Sequence, residues 1–213
     1  MDVRKEIADK MSRHLLQIRA VKLSPNEPFT WASGIKSPIY CDNRVTLSYP
    51  EIRAFIRQSF VNLIREEFGF IDLVAGVATG AIAQGALVAQ ELDLPFVYVR
   101  SEKKTHGLTN VIEGHVVPGQ SVVIVEDLVS TGSSSLHAVQ ALREAGCNVK
   151  GMVAIFTYGL RKAQDNFINE NCLLFTLTDY NNLINKALED KYISVNDMDT
   201  LRRWRIDPEK WGV

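Results

Sequence analysis

The sequence predicts an α/β fold in which a mainly parallel central sheet is flanked by helices. From Ile71 onward, short apolar runs alternate with stretches of helical period, the pattern of repeated strand–helix units. Some of these runs are continuous: Val122, Val123, Ile124 and Val125 form an unbroken β-branched stretch, which suits a central strand buried on both faces. That strand meets two adjacent acids, Glu126 and Asp127, and a small-residue loop that opens a helix. Ligands of open parallel sheets gather beyond the carboxyl ends of the strands, so these acids mark the place to look for a site.

Bulk properties narrow the class. At 213 residues, 46% hydrophobic and 23% charged, the chain suits a single domain with one substantial core. Its 24 basic and 25 acidic residues nearly cancel, so no global field favours nucleic acid or an anionic membrane, and any anion site must be local. No apolar run approaches the roughly 18 residues of a membrane span, and MDVRKEIADK is too charged for a secretory leader, so a cytoplasmic protein is expected. Cys41, Cys147 and Cys172 are widely separated, which fits reduced thiols. There is no internal repeat and no low-complexity linker.

The elements follow in order. Asp2 is placed to cap a first helix with Val3, Ile7, Met11, Leu15 and Leu16 on one stripe, ending before Ser24-Pro25-Asn26. Phe29 to Arg44 is aromatic, polar and broken by Gly and Pro, a segment suited to covering a ligand. Ser48-Tyr49-Pro50-Glu51 reads as a capping box for a core helix carrying Ile52, Phe55, Ile56, Phe60, Leu63, Ile64 and Phe68. IDLVAGV is a strand, Ala78 to Ala81 a turn, Ile82 to Leu92 a helix and Phe96 to Val99 another strand. Arg100 to Asn110 carries many charges and little to bury, and is expected to be mobile without a ligand. After the acid-bearing strand and its helix, Gly146 ends the turn. Gly151 to Thr157 and Leu173 to Thr178 supply further strands, and Tyr180 to Leu188 and Val195 to Arg205 supply C-terminal helices.

The acid pair and the loop after it have a joint chemical sense. Adjacent carboxylates accept hydrogen bonds from vicinal hydroxyls. Beyond the short link Leu128-Val129, the backbone and hydroxyls of Ser130, Thr131, Gly132, Ser133 and Ser134 form an anion nest at a helix N-terminus. A sugar phosphate fits both. Singly, each piece reads more readily as an ordinary strand end with solvated acids or a Ser/Thr helix cap. The loop is not a Walker loop, because no Gly-Lys-Ser/Thr follows, and no GxGxxG turn marks a generic dinucleotide site.

The string from Val122 to Ser134 resembles the ribose-phosphate motif of the type I phosphoribosyltransferases. FTWASGIKSPIYCDNR (Phe29 to Arg44) and RSEKKTHG (Arg100 to Gly107) resemble the base-covering segment and catalytic loop of the orotate-specific branch. The resemblance covers most of the chain. It implies a hood formed by residues 1–45 or so, a core over about 50–180 and C-terminal helices over about 180–213. It implies transfer of 5-phosphoribosyl from 5-phosphoribosyl 1-diphosphate to orotate, with Mg²⁺ held mainly by substrate and water instead of protein ligands. It also implies a homodimer with shared active sites.

By position, Glu126 and Asp127 would hold the ribose hydroxyls. Leu128, Val129, Ser130, Thr131, Gly132, Ser133 and Ser134 would complete the sugar-diphosphate site, with Arg100, Lys104 and His106 closing on the diphosphate. Lys104, Arg100, His106 and Asp127 would be the catalytic set. Ser130, Lys36, Tyr40 and Arg44 are candidates for orotate, although Lys36 and Arg44 serve equally well as structural ion-pair partners. Three positions depart from the pattern: Ala32, Gly80 and Ser101 stand where some relatives carry lysine. A regulator that binds the same sugar diphosphate without turnover, and a purine-specific transferase, are the alternatives. The charged loop and the absence of an added basic face or domain weigh against the first, and Phe29 to Arg44 against the second.

Overall fold

The computed structural model describes residues 2–31, 34–100 and 111–211. Helix α1 (Val3–Gln17) begins as expected, with the Asp2 carboxylate accepting the Arg4 N–H at 3.1 Å. Met11, Leu15 and Leu16 on its stripe are buried, whereas Val3 at the outer end is exposed. The following stretch carries four very short strands. β1 (Val21–Leu23) pairs antiparallel with a strand further on, as does β2 (Phe29–Thr30); their partners are β3 (Lys36–Ser37), against β2, and β4 (Ile39–Cys41), against β1. Strands this short have no readable period, which is why the sequence shows only an irregular segment.

The expected capping box does not form. A 3₁₀ helix (Asn43–Ser48) runs through Ser48, so the N-cap of α2 (Pro50–Glu67) falls on Tyr49, with no side-chain cap bond. Pro50 takes the first helical position, where its missing N–H would have had no partner anyway. The core stripe is as read, with Ile52, Ile56, Phe60 and Ile64 buried.

β5 (Leu73–Val77), buried throughout, leads through the 78–81 turn into α3 (Ile82–Leu92) and β6 (Phe96–Val99). β7 (Ile112–Glu113) adds an unexpected antiparallel edge against β6. β8 (Ser121–Val129) runs further than the hydrophobic run suggested: the acids lie within it, and its pairing with β9 (Asn148–Thr157) continues to Val129 opposite Thr157. α4 (Ser133–Glu144) connects the two strands and ends at Gly146, whose φ of +83° is the left-handed turn expected there. α5 (Arg161–Asn169) was not foreseen, because it buries Ala163 and Phe167 and is otherwise mostly polar. β10 (Leu174–Asp179), α6 (Tyr180–Glu189) and α7 (Val195–Ile206) finish the chain close to their predicted bounds.

The large sheet has the order β10-β9-β8-β5-β6-β7, parallel except at β7. β8 is therefore interior, and its residues divide between two cores. Val123 and Val125 join Ile56, Phe60 and Trp204 on one face; Val122 and Ile124 join Leu136, Leu142 and Phe167 on the other. Burial on both faces explains the unbroken β-branched run and rigidly fixes the strand end that carries the acids. Cys41, Cys147 and Cys172 are free thiols. Among the described residues, no helix is long and apolar enough to cross a membrane.

Candidate active site

The acid pair is asymmetric. Glu126 is only 4% exposed, whereas Asp127 is half-buried. Both Glu126 oxygens are engaged: Oε2 accepts from Ser135 Oγ at 2.7 Å and Oε1 from the Asp127 N–H at 2.9 Å. Burial, reinforced by the neighbouring Asp127 charge, pushes the Glu126 carboxyl well above the ordinary glutamate range. Ser135 was not singled out in the sequence. It lies on the first turn of α4, and only the return of that helix over β8 brings its hydroxyl to Glu126. The Asp127 side chain reaches the 78–81 turn, where a Cβ at Gly80 would overlap its carboxylate.

That asymmetry carries a stability consequence with a definite sign. Because the folded-state pKa of Glu126 is raised above its unfolded value, the group favours folding most at low pH. The contribution is lost as pH rises from the ordinary glutamate range through the folded pKa. Glu126→Gln should therefore melt higher than wild type at pH 8, with the gain shrinking towards pH 4, as followed by circular dichroism. A pH-independent difference would place the cost elsewhere.

The loop after β8 is held from below. Val129 is fully buried, and its carbonyl accepts from Thr157 Oγ1 at 3.1 Å and the Tyr158 N–H at 3.2 Å. Asn166 on α5 donates to the Thr131 carbonyl at 3.0 Å. Gly132 is the N-cap of α4 with φ of +82°, and a Cβ there would stand 2.8 Å from the Phe167 ring. The helix that the sequence did not reveal is thus what shapes the anion loop. Ser133 and Ser134 form the exposed first turn of α4, Thr131 and Ser133 hydroxyls lie 3.2 Å apart, and the N-terminal N–H groups there are free of a side-chain cap.

Beside the acids lies a cavity of about 260 Å³ lined by Thr30, Trp31, Tyr40, Cys41, Leu128, Ser130 and Tyr158. Two expected base contacts, Tyr40 and Ser130, are there. The other two are not among the lining residues: Lys36 Nζ donates to Thr30 Oγ1, itself on the cavity wall, at 2.8 Å, and Arg44 makes a two-point pair with Asp42 at 2.7 and 2.9 Å. Trp31, Cys41 and Tyr158 were not named as site residues; Tyr158 follows the carboxyl end of β9, where the strand-end rule points. Arg100 pairs with Glu113 at 3.4 Å, at the base of the charged segment. Lys104, His106, Ala32, Ser101 and the mobility expected of residues 101–110 lie outside the described residues. A larger cavity of about 590 Å³, between α5 and β10, contains none of the acid-pair or loop residues.

A phosphoribosyl transferase domain family matches residues 47–186. An orotate phosphoribosyltransferase of Porphyromonas gingivalis is 54% identical over 209 residues, covering 98% of this chain and 100% of that one. The chain belongs to the orotate phosphoribosyltransferases. The Bacteroides thetaiotaomicron orotate phosphoribosyltransferase is 56% identical over 209 residues, covering 98% of this chain and 99% of that one. Among solved structures, an orotate phosphoribosyltransferase from Aeropyrum pernix superposes with a TM-score of 0.74 at 25% identity, covering 86% of this chain and 99% of that one. The UMP synthase of Leishmania donovani shares the fold at a TM-score of 0.76 and 24% identity, over 92% of this chain and 42% of that one. At Gly80, the Asp127 carboxylate occupies the space where a side chain would begin.

Proposed function

We propose that this chain transfers the 5-phosphoribosyl group of 5-phosphoribosyl 1-diphosphate to orotate, giving orotidine 5′-monophosphate and diphosphate in cytoplasmic de novo pyrimidine synthesis. One observation carries the reading: an acid, a base-sized pocket and an anion loop are gathered at a single strand end. Leu128 and Ser130 line the pocket, Asp127 directly precedes them, and Ser133 and Ser134 open α4 just beyond. A nucleotide has three parts that these features suit: a ribose for the acid, a base for the pocket and a phosphate for the loop.

The reaction needs no protein nucleophile. An orotate ring nitrogen forms the bond to C1 as the C1–diphosphate bond breaks through an oxocarbenium-like sugar, so charge placement and alignment supply catalysis. Asp127 accepts from a ribose hydroxyl and favours the developing cation, with Glu126 beneath it. The loop from Ser130 to Ser134 holds the 5-phosphate. Arg100, Lys104 and His106 meet the diphosphate, and closing over it keeps water from the sugar cation. Mg²⁺, when bound, supplies positive charge to the leaving diphosphate. Among the described residues, no group of three or more His, Cys, Asp or Glu could hold a metal. An ion carried in on substrate oxygens and water would find the Asp127 carboxylate as a hard oxygen donor beside the ribose.

The test is ultraviolet monitoring of orotate consumption, with adenine, hypoxanthine, xanthine and uracil as controls. Turnover of orotate alone is expected, and turnover of a purine instead would overturn the assignment. The single domain acts as a homodimer with shared sites, in which Lys104 serves the partner's acid pair. Mixing inactive Lys104→Ala and Asp127→Asn dimers should restore activity to about a quarter of wild type, because about half the dimers are mixed and each mixed dimer has one intact site. Mixed dimers confirmed by mass spectrometry without recovery would place Lys104 in its own chain's site.

A further inference from the structure

We infer that Asn43 is a positioning residue that bolts the base pocket to the acid pair. The inference rests on the reaction proposed above. The pocket's walls come from separate elements: Tyr40 and Cys41 from β4, Leu128 and Ser130 from the end of β8 and its loop. Their separation has to be set by something between them. Asn43 opens the 3₁₀ helix just after β4 and is 1% exposed. Its Nδ2–H donates to the main-chain carbonyl of Asp127 at 2.5 Å, and its Oδ1 accepts from Cys41 Sγ at 3.2 Å. Thr46 Oγ1 donates to the Asn43 carbonyl at 2.6 Å, a bond within the 3₁₀ helix that does not involve the side-chain amide. The donor end is thus committed to the acid strand and the acceptor end to the pocket wall.

Asp127 sits where the sheet gives way to side-chain support. The ladder between β5 and β8 ends at the Gly76–Val125 pair, while β8 continues to Val129. Beyond Val125, the Asp127 N–H goes to Glu126 Oε1 and its carbonyl receives the Asn43 amide. Rotation of the peptide after Asp127 would move the carboxylate and the Leu128 wall together. Loss of the Asn43 bond should therefore disturb base and ribose binding at once, although Asn43 touches neither ligand.

The test uses full-length enzyme and steady-state kinetics with each substrate varied. Asn43→Ala removes the amide, and the near-isosteric Asn43→Asp sets an acceptor against the Asp127 carbonyl. Thr46→Val loosens the same turn without touching either wall. Both Asn43 variants should raise KM for orotate and for the sugar diphosphate about tenfold, the ratio lost with one buried hydrogen bond, while Thr46→Val stays within about twofold at a comparable loss of Tm. Asn43 variants that melt lower yet keep both KM values within twofold would overturn the inference. So would a rise in only one KM, or an equal rise in Thr46→Val. If the variants fail to fold, the wild type labelled with ¹⁵N-asparagine decides. Its Asn43 side-chain amide signal should shift on adding orotate and, separately, the sugar diphosphate, and an unmoved signal overturns the inference. That signal is read without turnover, so a failed reaction assignment and a failed role for Asn43 are told apart.

Discussion

Asp127→Asn should lower kcat/KM for the sugar diphosphate about 100-fold, equivalent to roughly 3 kcal/mol of transition-state stabilisation, while leaving the fold intact. The amide keeps the size of the carboxylate, so its place against Gly80 can be filled. What changes is chemistry: one acceptor becomes a donor, and a negative charge beside the developing sugar cation is removed. The main-chain bonds from Asp127 to Glu126 and Asn43 do not involve its side chain and should survive. Glu126→Gln provides the comparison. Glu126 is buried and both its oxygens are already engaged, by Ser135 and by the Asp127 N–H, so neutralising it should cost less activity than neutralising Asp127. Kinetics at pH 8 on both variants, with melts to confirm folding, decide the matter. Wild-type kcat/KM in Asp127→Asn would make the acid pair structural and remove the centre of the proposed mechanism.

The unequal acids also show where sequence reasoning reaches its limit. Position along the chain placed Glu126 and Asp127 beyond a buried strand, and the alternation of runs was enough to identify a parallel sheet with β8 inside it. Neighbouring residues on a strand point to opposite faces, however, so adjacency could not say that one carboxylate is closed over by Ser135 and the other half-open. α5 escaped notice because only Ala163 and Phe167 give it a buried side, yet it supplies Asn166 and Phe167 to the anion loop. The cavity proposed for the base showed in the sequence only as a segment suited to covering a ligand. Its Trp31 follows β2, its Tyr158 comes from the end of β9 and its Leu128 from β8, and long-range packing alone brings them together. Lys36 and Arg44 looked equally plausible as ligands or as structural partners. Arg44 is engaged by Asp42, two residues before it, a local pair that needs no tertiary structure.

Trp204→Ala should be among the most destabilising single changes in the chain, costing about 3–5 kcal/mol, and its kinetic effect should fall on orotate. Trp204 is fully buried on α7, with its ring centroid 5.6 Å from Trp31, 5.7 Å from Tyr158 and 5.3 Å from Tyr180. Its Nε1–H donates to the Lys36 carbonyl at 3.2 Å, which ties α7 to strand β3. Trp31 and Tyr158 both line the base pocket, so removing the ring behind them leaves two pocket aromatics without backing and the Lys36 carbonyl without its donor. Such a loss is a large fraction of the roughly 5–15 kcal/mol that holds a domain folded, and should be read as a lower urea midpoint at unchanged slope. In the fraction that folds, KM for orotate should rise several-fold more than KM for the sugar diphosphate, because the acids and anion loop rest on β8, α4 and α5 instead. Trp204→Phe separates the two contributions: it keeps a ring packed against Trp31 and Tyr158 but loses the N–H, and should cost about 1–2 kcal/mol, with KM for orotate close to wild type. Equal rises in both KM values for Trp204→Ala would mean that α7 supports the site as a whole and not the base pocket in particular.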